Sequence, residues 1–235
     1  MSSAGNHTFG TLSSAPDGRI VDHIFSHVRS VLLELKAKKD ENENAITNKL
    51  CKALEFKKPP EYPYFFHHQN IEDEKENTST DFAAFGTFAY AQETGLEGAG
   101  DAPALIKFEA KRLFAAIPKK REKEYVIGEY ENGAQTKNSG GIERFKNERH
   151  GKDVSNAGII AYVQTDKFSN WLTKINSWIG DEIRNPSDVR LTWLEADLLS
   201  FDQAVTAVSE YRSISIRLSG NTVALRHLWV DATNI

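Results

Sequence analysis

Ten consecutive residues, Leu105-Ile106-Lys107-Phe108-Glu109-Ala110-Lys111-Arg112-Leu113-Phe114, combine an apolar strand pattern with side chains that can do chemistry. Because side chains alternate across a strand, Ile106, Phe108, Ala110 and Phe114 point one way and Lys107, Glu109, Lys111 and Leu113 the other. A carboxylate and an ammonium two residues apart on one face lie roughly 7 Å from each other along the strand. Upstream, Asp81 opens a second apolar stretch, Thr80-Asp81-Phe82-Ala83-Ala84-Phe85. Hairpin pairing of the two stretches brings Asp81 near Glu109. Two carboxylates beside a lysine suit Mg²⁺ or Mn²⁺, hard cations that take oxygen ligands and keep several waters. Such an ion acidifies a bound water and neutralises a phosphoryl oxygen, while the lysine orients the attacking water or steadies the developing anion. In outline this is phosphodiester hydrolysis.

The tripeptide alone selects nothing. An acid, any residue and then lysine occurs at Glu34-Leu35-Lys36, Glu55-Phe56-Lys57, Asp73-Glu74-Lys75 and Glu109-Ala110-Lys111, and only the last sits inside an apolar strand with a strand-borne Asp before it. A purely structural reading stands beside the chemical one: Glu109 and Lys111 as an ion pair on a solvated face, Asp81 as a turn cap, and Glu43 as a first-turn acid favoured by the helix dipole.

Thr80-Asp81, followed after 28 residues by Glu109-Ala110-Lys111 and preceded by a helical Glu43-x-x-Ile46-x-x-x-Leu50, resembles the PD-(D/E)xK nuclease superfamily across roughly residues 40–180. The resemblance implies a restriction-endonuclease-like fold, a central mixed sheet flanked by helices on both sides. It also implies a Mg²⁺- or Mn²⁺-dependent endonuclease, with DNA as the expected substrate and restriction or bacterial antiviral defence as the setting. Asp81 and Glu109 would bind the metal, the carbonyl of Ala110 would complete the shell, Lys111 would act as base or positioner, and Glu43 would be the additional helix acid. Homodimers or larger complexes are common in such a family. Thr80 stands where the family usually places proline. A different class of function, a non-catalytic subunit binding nucleic acid or protein on the same fold, is the alternative. A nuclease silent until a partner joins it is a third.

The family places a helix after the catalytic strand, and Ser139-Gly140-Gly141-Ile142-Glu143-Arg144-Phe145-Lys146-Asn147-Glu148-Arg149-His150-Gly151 is the candidate. A Gly-Gly opening lets a backbone approach closely, and free N–H groups of a first helical turn attract phosphate. Lys137, Arg144 and Arg149 are therefore expected on the nucleic-acid backbone, with Gln164, at the end of the next strand, a further candidate.

Periodicity supplies the elements that must hold these residues. Apolar positions at helical spacing predict a helix over 20–35 and a second one carrying Ile46, Leu50 and Leu54, capped by Asp40 and stopped before Pro59-Pro60. Strands are expected at 64–71 and 80–88, with a Gly-rich hairpin at 95–103 leading into a strand at 104–114. A short helix over 138–149, a strand over 157–164 and a helix over 168–179 follow. From Thr192 the pattern gives strand, helix and then two strands, 213–218 and 222–230, joined by Gly220-Asn221. Residues 1–17 read as a loose leader, and 18–235 as one α/β domain with a core at about 40–180 and a C-terminal extension at 190–235.

Composition narrows the classes. Of 235 residues 40% are hydrophobic and 26% charged, ordinary values for a globular chain, and no apolar run suggests a membrane span or a secretory signal. The expected location is cytoplasmic. A single cysteine, Cys51, excludes a disulfide scaffold and a thiolate zinc cluster within one chain. The net charge is −4, yet residues 107–152 hold twelve Lys or Arg against seven Glu and no Asp, a basic middle in an acidic chain. The run Glu72, Asp73, Glu74 and Glu76 reads as a hydrated loop. His67, His68, His150 and His227 are too scattered for a zinc set, and Trp171, Trp178, Trp193 and Trp229 fit core packing. Neither a Gly-x-Ser-x-Gly elbow nor a phosphate-binding glycine fingerprint occurs.

Overall fold

A computed structural model describes residues 18–36, 38, 41–73, 78–96, 102–131 and 134–232. Helix α1 (Gly18–Leu32) buries Ile20, Val21, Ile24, Phe25, Val28, Val31 and Leu32, the stripe expected of one amphipathic face. Helix α2 (Glu43–Lys57) buries Ile46, Leu50 and Leu54 and is capped by Asn42, whose side chain accepts from the Ala45 N–H at 2.8 Å. The expected cap, Asp40, lies outside the described residues, as do the leader at 1–17 and most of the Gly-rich stretch at 95–103.

Seven strands form one mixed sheet in the order β1-β2-β3-β6-β9-β8-β7. They are β1 (Tyr64–Asp73), β2 (Thr78–Gly86), β3 (Ala104–Leu113), β6 (Asn156–Val163), β7 (Ser200–Val205), β8 (Val208–Ile216) and β9 (Thr222–Asp231), while β4 (Tyr130–Glu131) and β5 (Ala134–Gln135) form a separate ribbon. The β1-β2-β3 and β9-β8-β7 ladders are antiparallel, and the parallel pairs β3-β6 and β6-β9 join them at the centre. Residues from Thr192 onward therefore extend the sheet, with β9 inside it. The remaining helices are α3 (Phe88–Thr94), α4 (Gly141–Lys146) and α5 (Phe168–Arg184).

Two apolar layers sandwich the sheet, as its mixed, doubly covered character requires. On one side α1 and α2 pack over Phe66, Phe82, Phe108, Ile160 and Leu228. On the other, α4 and α5 pack over Ile159, Ala161, Val163, Leu225 and Trp229. All four tryptophans are buried in this second layer. Phe82 and Phe108 stack face to face across β2 and β3 at 4.4 Å between ring centroids. Gly158 opposite them is required, because a Cβ there would meet Phe108 Cδ1 at 2.3 Å.

Three expectations are corrected. Strand β2 ends at Gly86, where Thr87 caps α3 by accepting from the Tyr90 N–H. Beyond Thr192 there is only a 3-10 turn (Glu195–Asp197) before β7, β8 and β9, because β7 is an edge strand exposed along most of its length and lacks the alternation that marks a half-buried strand. Glu72 belongs to β1 rather than to a hydrated loop, and its buried carboxylate accepts from Lys107 Nζ at 3.0 Å. Asp73 ends the same strand, and residues 74–77 lie outside the described set.

Candidate active site

The register of β2 on β3 pairs Phe82 with Phe108 and Ala83 with Lys107, so continuing one step sets Asp81 across from Glu109. The ladder stops there, and Asp81 fills the gap by accepting the Ala110 N–H at 2.6 Å through its own carboxylate. Alternation along β3 sends Lys107, Glu109 and Lys111 to the α4 side, and all three are buried, Glu109 to 1% exposure. The face expected to be solvated is thus closed over.

Glu109 is the hub. Its Oε1 accepts from Lys111 Nζ at 2.5 Å and from an Arg144 guanidinium nitrogen at 2.6 Å. Nδ1 of His150 stands 3.0 Å from Oε2, but neither atom completes a hydrogen bond. Lys111 Nζ also donates to the Ala110 carbonyl at 2.9 Å. Glu43, in the first turn of α2, accepts the Arg112 N–H at 2.9 Å, so the helix acid is tied to the backbone of the same strand.

Burial on its own would drive Glu109 toward neutrality, but Lys111, His150 and Arg144 outweigh it and hold the carboxyl well below the usual range. Burial likewise opposes the charge on Lys111, and Glu109, Glu43 and Asp81 prevail to keep the amine protonated beyond its ordinary range. Asp81 has no such surplus: burial and then the Glu109 charge push it up to about 7, against Lys111. Glu43 is also raised, chiefly by burial.

Helix α4 carries Arg144 into this cluster, and its position depends on close backbone contact. A Cβ at Gly140 would lie 2.3 Å from the Ile127 backbone. The N–H groups of Gly141, Ile142 and Glu143 donate to the carbonyls of Glu124, Tyr125 and Val126, and Glu143 accepts from the Gly128 and Gly140 N–H groups. The Gly-Gly opening therefore admits the protein's own 124–127 segment, and the first-turn N–H groups expected to attract phosphate are already occupied.

The other expected nucleic-acid contacts are dispersed. Arg144 points at Glu109, Arg149 donates to the Asn138 carbonyl, Lys137 is exposed and paired with Glu129, and Gln164 accepts from Arg112 Nε at 2.7 Å while donating to the Glu41 carbonyl. Instead, a cleft of about 370 Å³ reaches Lys111, bordered by Glu43, Arg112, Arg121, Glu124 and Tyr125. His150 was not legible as a site residue, because nothing local in the sequence ties it to a strand forty positions earlier.

No family model matches the chain, and no curated protein or solved structure matches it either. The site rests on its own geometry.

Among the described residues no group of three or more His, Cys, Asp or Glu side chains converges as a ready cation cage. The donor chemistry fits a hard cation all the same: the carboxylates of Asp81 and Glu109, the Ala110 carbonyl and, in Glu109 Oε2, a buried oxygen whose neighbour is His150 Nδ1 at 3.0 Å. Lys111 contacts both Glu109 Oε1 and the Ala110 carbonyl, so its ammonium and a metal ion would compete for the same oxygens.

Proposed function

We propose that this chain is a metal-dependent hydrolase of nucleic-acid phosphodiesters, DNA in the first instance, with a restriction-endonuclease-like catalytic half formed by α2, β2, β3 and β6. The observation that carries the reading is the meeting of Asp81 and Glu109, 28 residues apart in sequence, across adjacent strands with Lys111 in contact with Glu109. Asp81, Glu109 and the Ala110 carbonyl would hold Mg²⁺ or Mn²⁺, which when bound neutralises phosphoryl charge and acidifies water.

The protein's own groups divide the remaining work. Lys111, kept protonated by three surrounding carboxylates, serves as a fixed donor and charge stabiliser rather than as a base. Arg144 and His150 hold Glu109 ionised and fix its orientation. Asp81, near half-protonation at neutral pH, makes cation binding and therefore cleavage rise with pH through about 7.

Incubation of plasmid, linear DNA and RNA with Mg²⁺ or Mn²⁺ tests this directly, alongside Glu109→Gln and Lys111→Met. Metal-dependent cleavage that both substitutions abolish is the expected result; cleavage surviving both excludes the site. One observation favours a second reading, a non-catalytic binding subunit: three basic side chains already surround Glu109. Calorimetric titration separates the two, since a scaffold binds no Mg²⁺ or Mn²⁺ and a nuclease centre binds it and loses it in Asp81→Asn.

A further inference from the structure

A second concavity, of about 1060 Å³, runs over β1 and β2 and past the starts of β3, β6 and β9. The register places it on the same side of the sheet as the two carboxylates, although neither lines it and Glu109 is buried. Phe65 pairs with Phe85 and His67 with Ala83, and Asp81 precedes Ala83 by two residues on the same strand face. Four residues of strand separate Phe85 from Asp81, about 14 Å. Lys107, in the groove wall, precedes Glu109 by two residues on β3.

The lining is aromatic on one side and cationic on the other. Phe65 and Phe85 stack at 5.7 Å with an interplanar angle of 23°, and His67 meets Phe85 edge-on at 6.5 Å. Both phenylalanines remain partly exposed and His67 is exposed. Facing them are Lys152 and Arg217, together with Lys107, which is neutralised by Glu72 and by the lining carboxylate Asp153. Arg217 is only 6% exposed; one terminal nitrogen donates to the Gly151 and Val154 carbonyls and the other to the Lys152 carbonyl. The guanidinium therefore stands in the groove wall as a fixed positive charge held by the backbone.

We infer that this groove binds single-stranded nucleic acid, with bases against Phe65, Phe85 and His67 and phosphates on the Lys152–Arg217 side, and delivers the strand to Asp81 and Glu109. Aromatic faces on an open sheet accept any unstacked base, whereas a duplex keeps its bases stacked inside and cannot present them. The volume is at the top of the range for small-molecule pockets, and the groove is open, which suits a polymer better than a metabolite. The inference deepens the hydrolase reading by naming the strand form, and it rests on that reading only for delivery.

Fluorescence anisotropy in EDTA, with a labelled 20-nucleotide DNA strand, the matching RNA strand and a 20-base-pair DNA duplex, tests binding apart from cleavage. The expected result is single-strand binding about tenfold or more tighter than duplex binding, whichever sugar is preferred. Phe65→Ala with Phe85→Ala should weaken it about tenfold or more. Lys152→Ala, an exposed side chain whose loss leaves the core intact, should weaken it less and flatten the salt dependence by about one phosphate contact. Duplex bound as tightly as single strand, or unchanged binding in Lys152→Ala and in a folded double phenylalanine variant, overturns the inference. Single-strand binding without cleavage under any metal overturns the hydrolase and leaves the groove standing, while duplex cleavage without single-strand binding does the reverse.

Discussion

Two buried charge clusters sit on this sheet, and they differ in how completely their acids are satisfied. At the β8–β9 side, Glu210 accepts from Arg226 Nε at 2.5 Å, from Arg29 and from Gln203, while Arg226 reaches on to Asp22. Every oxygen of Glu210 is engaged, and Arg226 and Arg29 hold its carboxyl down despite burial. At the β2–β3 side Glu109 meets Lys111, Arg144 and His150, yet among the described residues the neighbouring Asp81 has no side-chain cation in contact and is raised to about 7. The first cluster fastens α1 to the sheet. The second sets three carboxylates, Glu109, Asp81 and Glu43, around Lys111, and burial leaves Asp81 and Glu43 raised while Glu109 is held down.

Substitutions can break this contrast. Under the hydrolase reading, Glu109→Gln and Lys111→Met lower the cleavage rate at least about 100-fold, whereas Glu210→Gln leaves it within about threefold, measured on plasmid with Mg²⁺. Glu109→Ala and Glu210→Ala each strand buried cations and cost about 3–5 kcal/mol in urea unfolding, so alanine at either position reports on folding rather than on chemistry. Adding Lys111→Met to Glu109→Ala should recover part of that loss.

Asp81 sharpens the contrast in the opposite direction. Its folded-state pKa of about 7 lies above the ordinary 3.8, so between these values the folded chain holds a proton that the unfolded chain releases, and the stability it contributes falls as pH rises from about 4 to about 7. Asp81→Asn is therefore expected to be more stable than the parent at pH 8, by up to about 4 kcal/mol, and to show little difference at pH 4. A thermal melt at the two pH values checks this; equal or lower stability at pH 8 removes the electrostatic frustration argued for the site. The smallest effect belongs to Lys137→Ala, where an exposed pair with Glu129 is lost and stability changes by less than about 0.5 kcal/mol.

Much of the frame was legible because its signals are local. The helical stripes of α1 and α5, the alternation in β3 and the apolar start of β2 are properties of ten to seventeen residues each, and antiparallel pairing of β2 with β3 then sets Asp81 across from Glu109. What was not legible depends on distant partners. Arg144 turns inward to Glu109, His150 reaches the site through the turn after α4, and Glu72 pairs with Lys107 from a strand thirty-five residues away. The first turn of α4 reads as an open anion site in sequence, and only the fold reveals that residues 124–126 have taken its donors.

The placement of β9 between β6 and β8 has a consequence for biosynthesis. While the polypeptide is being made, β1, β2 and β3 can zip up as soon as they emerge, but β6 keeps one unpaired edge until residue 231 clears the ribosome. The nascent chain thus carries its acid pair on a half-finished platform, and the emergence of β9 is the event that locks the platform in place.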